Sequence, residues 1–306
     1  MIESYAPIAI FVYKRPVHTF KCLSALVQNK EFYQSKIYVF CDGPKENESI
    51  DNRNLIEQTR DIIKGFDNEK TFIILENETN KGLANSLVNG INFVFKQHEK
   101  IIVIEDDILV SVDFLKYMNW GLNCFRENNK IATIQGFQFS IFKGKQQYFL
   151  DSAVGCWGWA TWNDRWNLYQ SNANLLIDEI QSINQISEFN INDTYNFFEL
   201  LNSTATGKID SWAIKWYASL FTQKKLNLYP IKSFTNNIGN DGSGSHNERN
   251  YSNSTLGTFV EIDPNSIKQN ERFQYKIYLF RKRIKRLKQI KNLLLKIKLK
   301  LQFLNG

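Results

Sequence analysis

Three consecutive carboxylates, Glu105-Asp106-Asp107, directly follow the β-branched run Ile101-Ile102-Val103-Ile104. Like charges this close repel one another and are costly to desolvate unless a cation joins them. A hard divalent ion, Mg²⁺ or Mn²⁺, bridging carboxylate oxygens to phosphate oxygens is the usual solution. The competing reading is an acid-rich first turn of a following helix, and for an isolated triplet it would win. Position favours chemistry. The run reads as a strand buried on both faces of a parallel sheet, and in such sheets ligands sit beyond the strands' carboxyl ends.

Other candidates gather around that strand end. Arg15 and Asp42 each follow a short apolar run, which assigns them to the same edge. There a guanidinium and a carboxylate can read a nucleobase and a ribose; singly, each is more often a surface cation or a turn acid, and their shared edge brings the two readings level. Gly155-Cys156-Trp157-Gly158-Trp159-Ala160-Thr161-Trp162, with Trp166, holds four of the seven tryptophans. Glycines beside indoles imply a backbone pressed against a ligand or a neighbouring strand. Trp157 and Trp159 are read as sugar contacts, Trp162 and Trp166 as core. Asp210-Ser211-Trp212 opens a helix, where Asp210 is either its N-cap or a general base aimed at a hydroxyl. The Gly/Asn/Ser loop 236–246 has the composition of a lid that closes over substrate, and its His246 is a metal or phosphate ligand or a solvated loop histidine.

The elements that must position these residues are legible from periodicity. Strands are expected at Pro7–Tyr13, Lys36–Cys41, Thr71–Leu75, the acid-bearing run and Ile131–Gly136. Pro16 suits the first position of a helix with Phe20, Leu23, Leu26 and Val27 inward. Further helices are expected at about Ser49–Lys64, after Lys81-Gly82 with Leu83, Leu87, Ile91 and Val94 facing the sheet, and at Val112–Asn128. Later ones fall around Leu175–Ile186, Asp193–Asn202 and Ser211–Lys224. Strand–helix alternation with short connections gives a doubly wound α/β sheet. No Gly-x-Gly-x-x-Gly follows the first strand and no Walker loop appears, which argues against a dinucleotide or P-loop site.

The chain has 306 residues, 43% of them hydrophobic, enough for a large core. Its net charge of +7 is unevenly spread: residues 268–306 hold nine Lys and four Arg against one Glu. Ile277, Phe280, Ile284, Leu287, Ile290, Leu294, Ile297, Leu301 and Leu304 recur there at spacings of three and four. That pattern is a basic amphipathic helix suited to an anionic membrane surface, with packing on a partner subunit as the competing reading. Nucleic acid is a poorer match, because stacking aromatics are sparse. The expected division is a catalytic domain at 1–265 and a helical tail at 266–306. No signal-like segment precedes Pro7, and no run reaches the ~20 apolar residues of a membrane span. The scattered cysteines read as reduced core residues.

Pro7-Ile8-Ala9-Ile10-Phe11-Val12, Cys41-Asp42-Gly43, Val103-Ile104-Glu105-Asp106-Asp107, Asp113-Phe114, Gly158-Trp159, Asp210-Ser211-Trp212 and Gly244-Ser245-His246 occur in one order. That series resembles the GT-A nucleotide-sugar glycosyltransferases of the N-acetylglucosaminyltransferase I type and their bacterial family-2-like relatives, over about residues 6–262. The resemblance implies a Rossmann-like GT-A fold with a mostly parallel central sheet, and an inverting, metal-dependent transferase using a UDP-sugar. It assigns Asp107 to Mn²⁺ or Mg²⁺, Asp106 to the ribose, Glu105 to the donor sugar, and Arg15 and Asp42 to uracil. Ser245 and His246 match the closing loop, with His246 as a metal ligand. The family's base lies in an Asp-Asp-Trp group; here Ser211 replaces the acid next to Trp212, which leaves Asp210 as the nearest carboxylate. A glycan or lipid-linked acceptor at the cytoplasmic face of a membrane follows from the bacterial relatives and the basic tail. The competing classes are a nucleotidyltransferase, which should show a basic Gly-rich loop after its first strand, and a non-catalytic sugar- or lipid-binding protein.

Overall fold

The computed structural model describes residues 4–67, 71–139, 146–239, 241 and 255–269, and in the tail 275–276, 278–280, 282–287 and 290. The first half alternates: β1 (Ile8–Val12), α1 (Pro16–Leu26), β2 (Ile37–Cys41), α2 (Ile50–Phe66), β3 (Ile73–Glu76), α3 (Leu83–Phe95), β4 (Lys100–Glu105). A short β5 (Ile108–Val110) leads to α4 (Phe114–Cys124), β6 (Ile131–Gln135), β7 (Tyr148–Asp151), β8 (Trp159–Trp162) and α5 (Asn163–Trp166). Then come α6 (Ala173–Ser182), α7 (Ile186–Phe189), α8 (Phe197–Ala205), α9 (Trp212–Thr222), β9 (Leu226–Pro230) and β10 (Thr235–Asn237).

Eight strands form one sheet in the order β3-β2-β1-β4-β8-β6-β9-β7. The β3-β2-β1-β4 block is parallel throughout, and β6 and β9 run the same way; β8 and β7 run against them. The fold is therefore α/β with a mostly parallel central sheet. Period-two alternation splits the strands between two layers. Ile8, Ile10, Ile102 and Ile104 face the core beneath α1, α2 and α4. Ala9, Phe11, Ile101 and Val103 face α3, α5 and α9. A third cluster joins α6, α8 and α9.

Several expectations shift. The acid-bearing run is two strands: it breaks at Asp106-Asp107, and β5 leaves the main sheet to pair antiparallel with β10. The tryptophan segment supplies β8, an antiparallel strand inserted between β4 and β6. In α1 the buried face is Thr19, Cys22, Leu23 and Leu26. Phe20, about 100° round the helix from that face, is 53% exposed and leans edge-on against Phe66 at 5.6 Å. Leu83, in the first turn of α3, is likewise exposed, and Ala84 takes its place. Cys22 and Cys41 are core residues as expected, whereas Cys124 is exposed.

The chain stays attached to the sheet beyond residue 265. Ile267 is buried, the Leu150 amide donates to the Lys268 carbonyl at 3.3 Å, and Leu150 bridges Gln269 in parallel. The described tail residues 275–290 are helical. Phe280 packs on Phe139 at 5.3 Å and Lys285 Nζ donates to the Asp193 carbonyl at 2.6 Å, while Leu287 and Ile290 face outward. Among the described residues no helix is long and apolar enough to cross a membrane.

Candidate active site at the carboxyl edge of the sheet

After β1 the chain moves outward through β2 and β3, then returns to place β4 on β1's other side. The gap between the ends of β1 and β4 is thus the switch point of the sheet, the position at which open α/β sheets bind their ligands. Phe11 pairs with Glu105, and the Asp106 amide donates to the Phe11 carbonyl at 3.1 Å. The acids consequently emerge just past the end of β1, facing the chain that leads into α1.

Arg15 lies on that chain and reaches across. Its Nε donates to Asp106 Oδ2 at 3.3 Å, its Nη2 to Asp106 Oδ1, and its Nη1 lies 3.0 Å from Asp107 Oδ2. Asp106 is buried, Glu105 and Asp107 are half-buried, and a single guanidinium is a partial match for three acids. Burial pushes the Glu105 carboxyl up to about 8, helped by the charges of Asp107 and Asp106. Burial likewise raises Asp106 to about 6, against the pull of Arg15. The Arg15 charge is opposed by burial, but Asp106 and Asp107 more than offset that and hold it firmly protonated. Reading of a nucleobase by Arg15, as the resemblance implies, would require the side chain to leave this position.

A strip from the far end of the chain covers the acids. β10 pairs with β5, the Ile238 amide donates to the Asp107 carbonyl at 2.9 Å, and Gly239 rests on the Asp107 carboxylate. A Cβ at Gly239 would meet Asp107 Oδ2 and come within 2.9 Å of Arg15 Nη1, so any larger residue there would push the Asp107 carboxylate and the guanidinium aside. Asp241 then meets His18 Nε2, in the first turn of α1, at 3.2 Å. Sequence reasoning missed both His18 and Gly239. Neither carries a local signal, because the β5–β10 pairing that brings them together spans over a hundred residues.

Asp42 is at the same edge but differently held. Its Oδ1 accepts from the amides of Gly43 (3.0 Å) and Lys81 (2.9 Å) and from Asn77 Nδ2 (3.3 Å). Its Oδ2 accepts from the Gly82 amide (3.1 Å) and Asn80 Nδ2 (2.9 Å). The carboxylate fastens the 77–82 loop to the end of β2, and both oxygens are occupied.

Of the tryptophans, Trp162 and Trp166 are core as expected, and Trp159 is core too. It is fully buried against Trp212 (5.7 Å) and Trp166 (6.0 Å), so it offers no face to a sugar. Gly158, at φ 78°, lets the chain press on a neighbouring strand: its carbonyl accepts from the Gly136 amide at 2.8 Å. Trp157 is half-buried, its ring edge-on to Phe137 and its carbonyl accepting from Thr235 Oγ1 at 2.7 Å. Cys156 lies near Glu105 and Asp107; burial first, then those charges, raise its thiol.

Trp159 begins β8 opposite Val103 near the acid end of β4, and Trp212 stacks on it. The start of α9 therefore lies toward the acid edge. Ser211 is the cap of this helix, its Oγ accepting from the Ile214 amide at 3.4 Å. That corrects the cap reading of Asp210, which is exposed one residue earlier with no capping role. After burial, the Asp210 charge is the second cause raising the Tyr169 hydroxyl. Ser245 and His246 lie outside the described residues.

Among the described residues no three His, Cys, Asp or Glu side chains converge as a metal cage. The oxygens of Asp106 and Asp107 nevertheless fit a hard cation such as Mg²⁺ or Mn²⁺. Such ions need only one or two carboxylates when substrate phosphates and water complete the shell.

No family profile matches the chain, and no curated protein matches it by sequence. Among solved structures the chain is similar to the mannosyltransferase PcManGT from Pyrobaculum calidifontis in complex with GDP-Man and Mn²⁺. The identity is 9% and the TM-score 0.31, over 45% of this chain and 37% of that one. It is also similar to S. aureus TarS 1–349, at 14% identity and TM-score 0.34 over 51% and 47% of the two chains. A third is GalNAc-T7 with UDP, GalNAc and Mn²⁺, at 9% identity and TM-score 0.39 over 55% and 37%. In each case the match spans less than half of the other protein.

Proposed function

We propose that this protein is a glycosyltransferase that moves a sugar from a nucleoside-diphosphate donor, with UDP-sugars the first choice, to a hydroxyl acceptor. The observation that carries the reading is the acid triplet at the β1/β4 switch point, three carboxylates with one guanidinium between them. Desolvating one of these acids fully and two in part, with so incomplete a match, is costly, and a bound cation with a phosphorylated ligand would relieve that cost. The ordered motifs of the GT-A resemblance point the same way.

In this reading Asp107, aided by Asp106, holds a divalent ion. Bound there, the ion would stabilise the charge that grows on the departing diphosphate. Asp106 also faces the ribose and Glu105 the donor sugar, while Trp157 lines the sugar side. Asp210, exposed near the acid edge, takes the acceptor's proton as the hydroxyl attacks from the face opposite the diphosphate. One displacement then inverts the anomeric centre through an oxocarbenium-like transition state. Asp42 acts indirectly, fixing the loop beside the nucleobase end of the crevice. His246 as an additional metal ligand and Ser245 in the closing loop remain part of the proposal.

The acceptor we favour is a glycan or lipid-linked oligosaccharide at the cytoplasmic face of a bacterial membrane, as in surface polysaccharide synthesis. The outward Leu287 and Ile290 among basic residues support attachment of the tail to anionic lipid. Purified protein offered a panel of nucleotide sugars should hydrolyse one of them slowly, and only with Mn²⁺ or Mg²⁺ present. Equal hydrolysis in chelator, or none with any donor, would remove this reading. Deleting residues 270–306, which leaves the Lys268 and Gln269 contacts with Leu150 in place, should abolish sedimentation with anionic vesicles while sparing donor hydrolysis.

A further inference from the structure

The acid crevice already contains a cation, and it is part of the chain. Arg15 grips Asp106 with a two-pronged fork and extends its third nitrogen to Asp107 at 3.0 Å. That contact is to Asp107 Oδ2, the oxygen against which Gly239 is also packed. The strip bearing Gly239 is held by the Ile238 amide on the Asp107 carbonyl and by Asp241 on His18, in the helix turn that Arg15 precedes. A divalent ion and a guanidinium on one carboxylate oxygen repel each other. An ion that takes Asp107 Oδ2, or either oxygen of Asp106, therefore displaces Arg15 from it.

We propose that Arg15 is an internal competitor for the metal position, holding Asp106 and Asp107 in the donor-free protein and releasing them when a diphosphate takes over the guanidinium. The inference rests on the metal-dependent transferase reading above. A guanidinium leaving two carboxylates is compensated by another anion that accepts from its planar fork bidentately, and a phosphate group is one. Arg15 follows β1 at the switch point, beside the two acids that would hold the ion and its diphosphate. Metal and nucleotide then bind cooperatively, and Arg15 is the positioning residue that couples them. A stray ion is thereby kept out until a donor arrives.

Titration of Mn²⁺ followed by electron paramagnetic resonance, alone and with saturating UDP, tests this on the full-length protein. For the wild type, UDP should tighten Mn²⁺ binding about tenfold or more, within the usual range of coupling between sites. Arg15→Met should bind Mn²⁺ alone about tenfold more tightly than the wild type, and UDP, which still supplies phosphate ligands to the ion, should tighten it by a smaller factor than in the wild type. Arg15→Lys, which keeps the charge and loses the fork, should fall between them. Structural damage alone would weaken binding, so tightening is a specific signature; circular dichroism melts confirm folding, and Arg15→Gln substitutes if the Met variant fails to fold. Mn²⁺ binding alone that is unchanged or weaker in the folded neutral variants overturns the proposal. If UDP binds and neither protein takes up Mn²⁺ in any mixture, the metal-dependent reading itself falls, and this inference with it.

Discussion

Two buried acid groups flank β1 at the same edge of the sheet, and they are solved in opposite ways. Asp42 has five neutral donors on two oxygens, three of them backbone amides that no mutation of a side chain removes. Glu105, Asp106 and Asp107 have one guanidinium nearby, in contact with Asp106 and Asp107 alone, and Glu105 and Asp106 are pushed up toward neutrality. A carboxylate satisfied by fixed dipoles behaves as a structural fastener. A cluster left under-compensated retains affinity for a further cation. The difference separates scaffold from chemistry where the sequence showed only acids after strands.

The sharpest way to break the contrast is Asp107→Asn. Losing the ion's charged ligand should lower metal-dependent transfer on the order of a thousandfold while the melting temperature holds. Near-normal turnover at saturating Mn²⁺ would place the chemistry elsewhere. Asp210→Asn should lower transfer at least ~10²-fold with donor affinity unchanged. Its neighbour separates base from cap: Ser211→Ala should lower stability by about 1 kcal/mol and leave activity per folded molecule intact. If the two phenotypes are exchanged, the assignment around α9 is inverted.

Asp42→Ala should show the opposite balance to Asp107→Asn. Stranding five donors should destabilise by about 3 kcal/mol, a fall in Tm of roughly 5–10 °C, with metal affinity retained. Unchanged stability with lost donor binding would restore it to the nucleobase role. The smallest effect concerns pH. Glu105 and Asp106 hold protons more tightly in the fold than in the unfolded chain. The stability linked to those protons is fully present below the ordinary carboxylate range and is lost as pH rises through about 6 and then about 8. Metal-free protein should therefore melt lower at pH 9 than at pH 5, and Glu105→Gln should flatten the upper part of that slope.

How much of this was legible follows from the range of each signal. Strands β1, β2 and β4 and helices α1 to α4 were readable because their periodicity is local and Pro16 and Ser49 mark helix starts. The break at Asp106-Asp107 was not, because β5 joins β10 only through a distant pairing. The same holds for Gly239 and His18. Trp159 was misjudged because aromatic content alone cannot tell a stacking surface from an antiparallel core strand. Asp210 reads as the cap because its residue type suits that position, and the Ser211 Oγ bond to the Ile214 amide moves the helix start one residue on.

The central claim is that the crevice between β1 and β4 binds a divalent ion on Asp107 together with a nucleoside diphosphate. Crystals soaked with UDP and Mn²⁺, measured at the manganese absorption edge, test it most directly. An anomalous peak on the Asp107 carboxylate, contiguous with diphosphate density, is expected, with the Arg15 guanidinium withdrawn from Asp107. Manganese and nucleotide bound away from Asp107, or UDP seated in the crevice with Arg15 still on both acids and no metal peak, would contradict it.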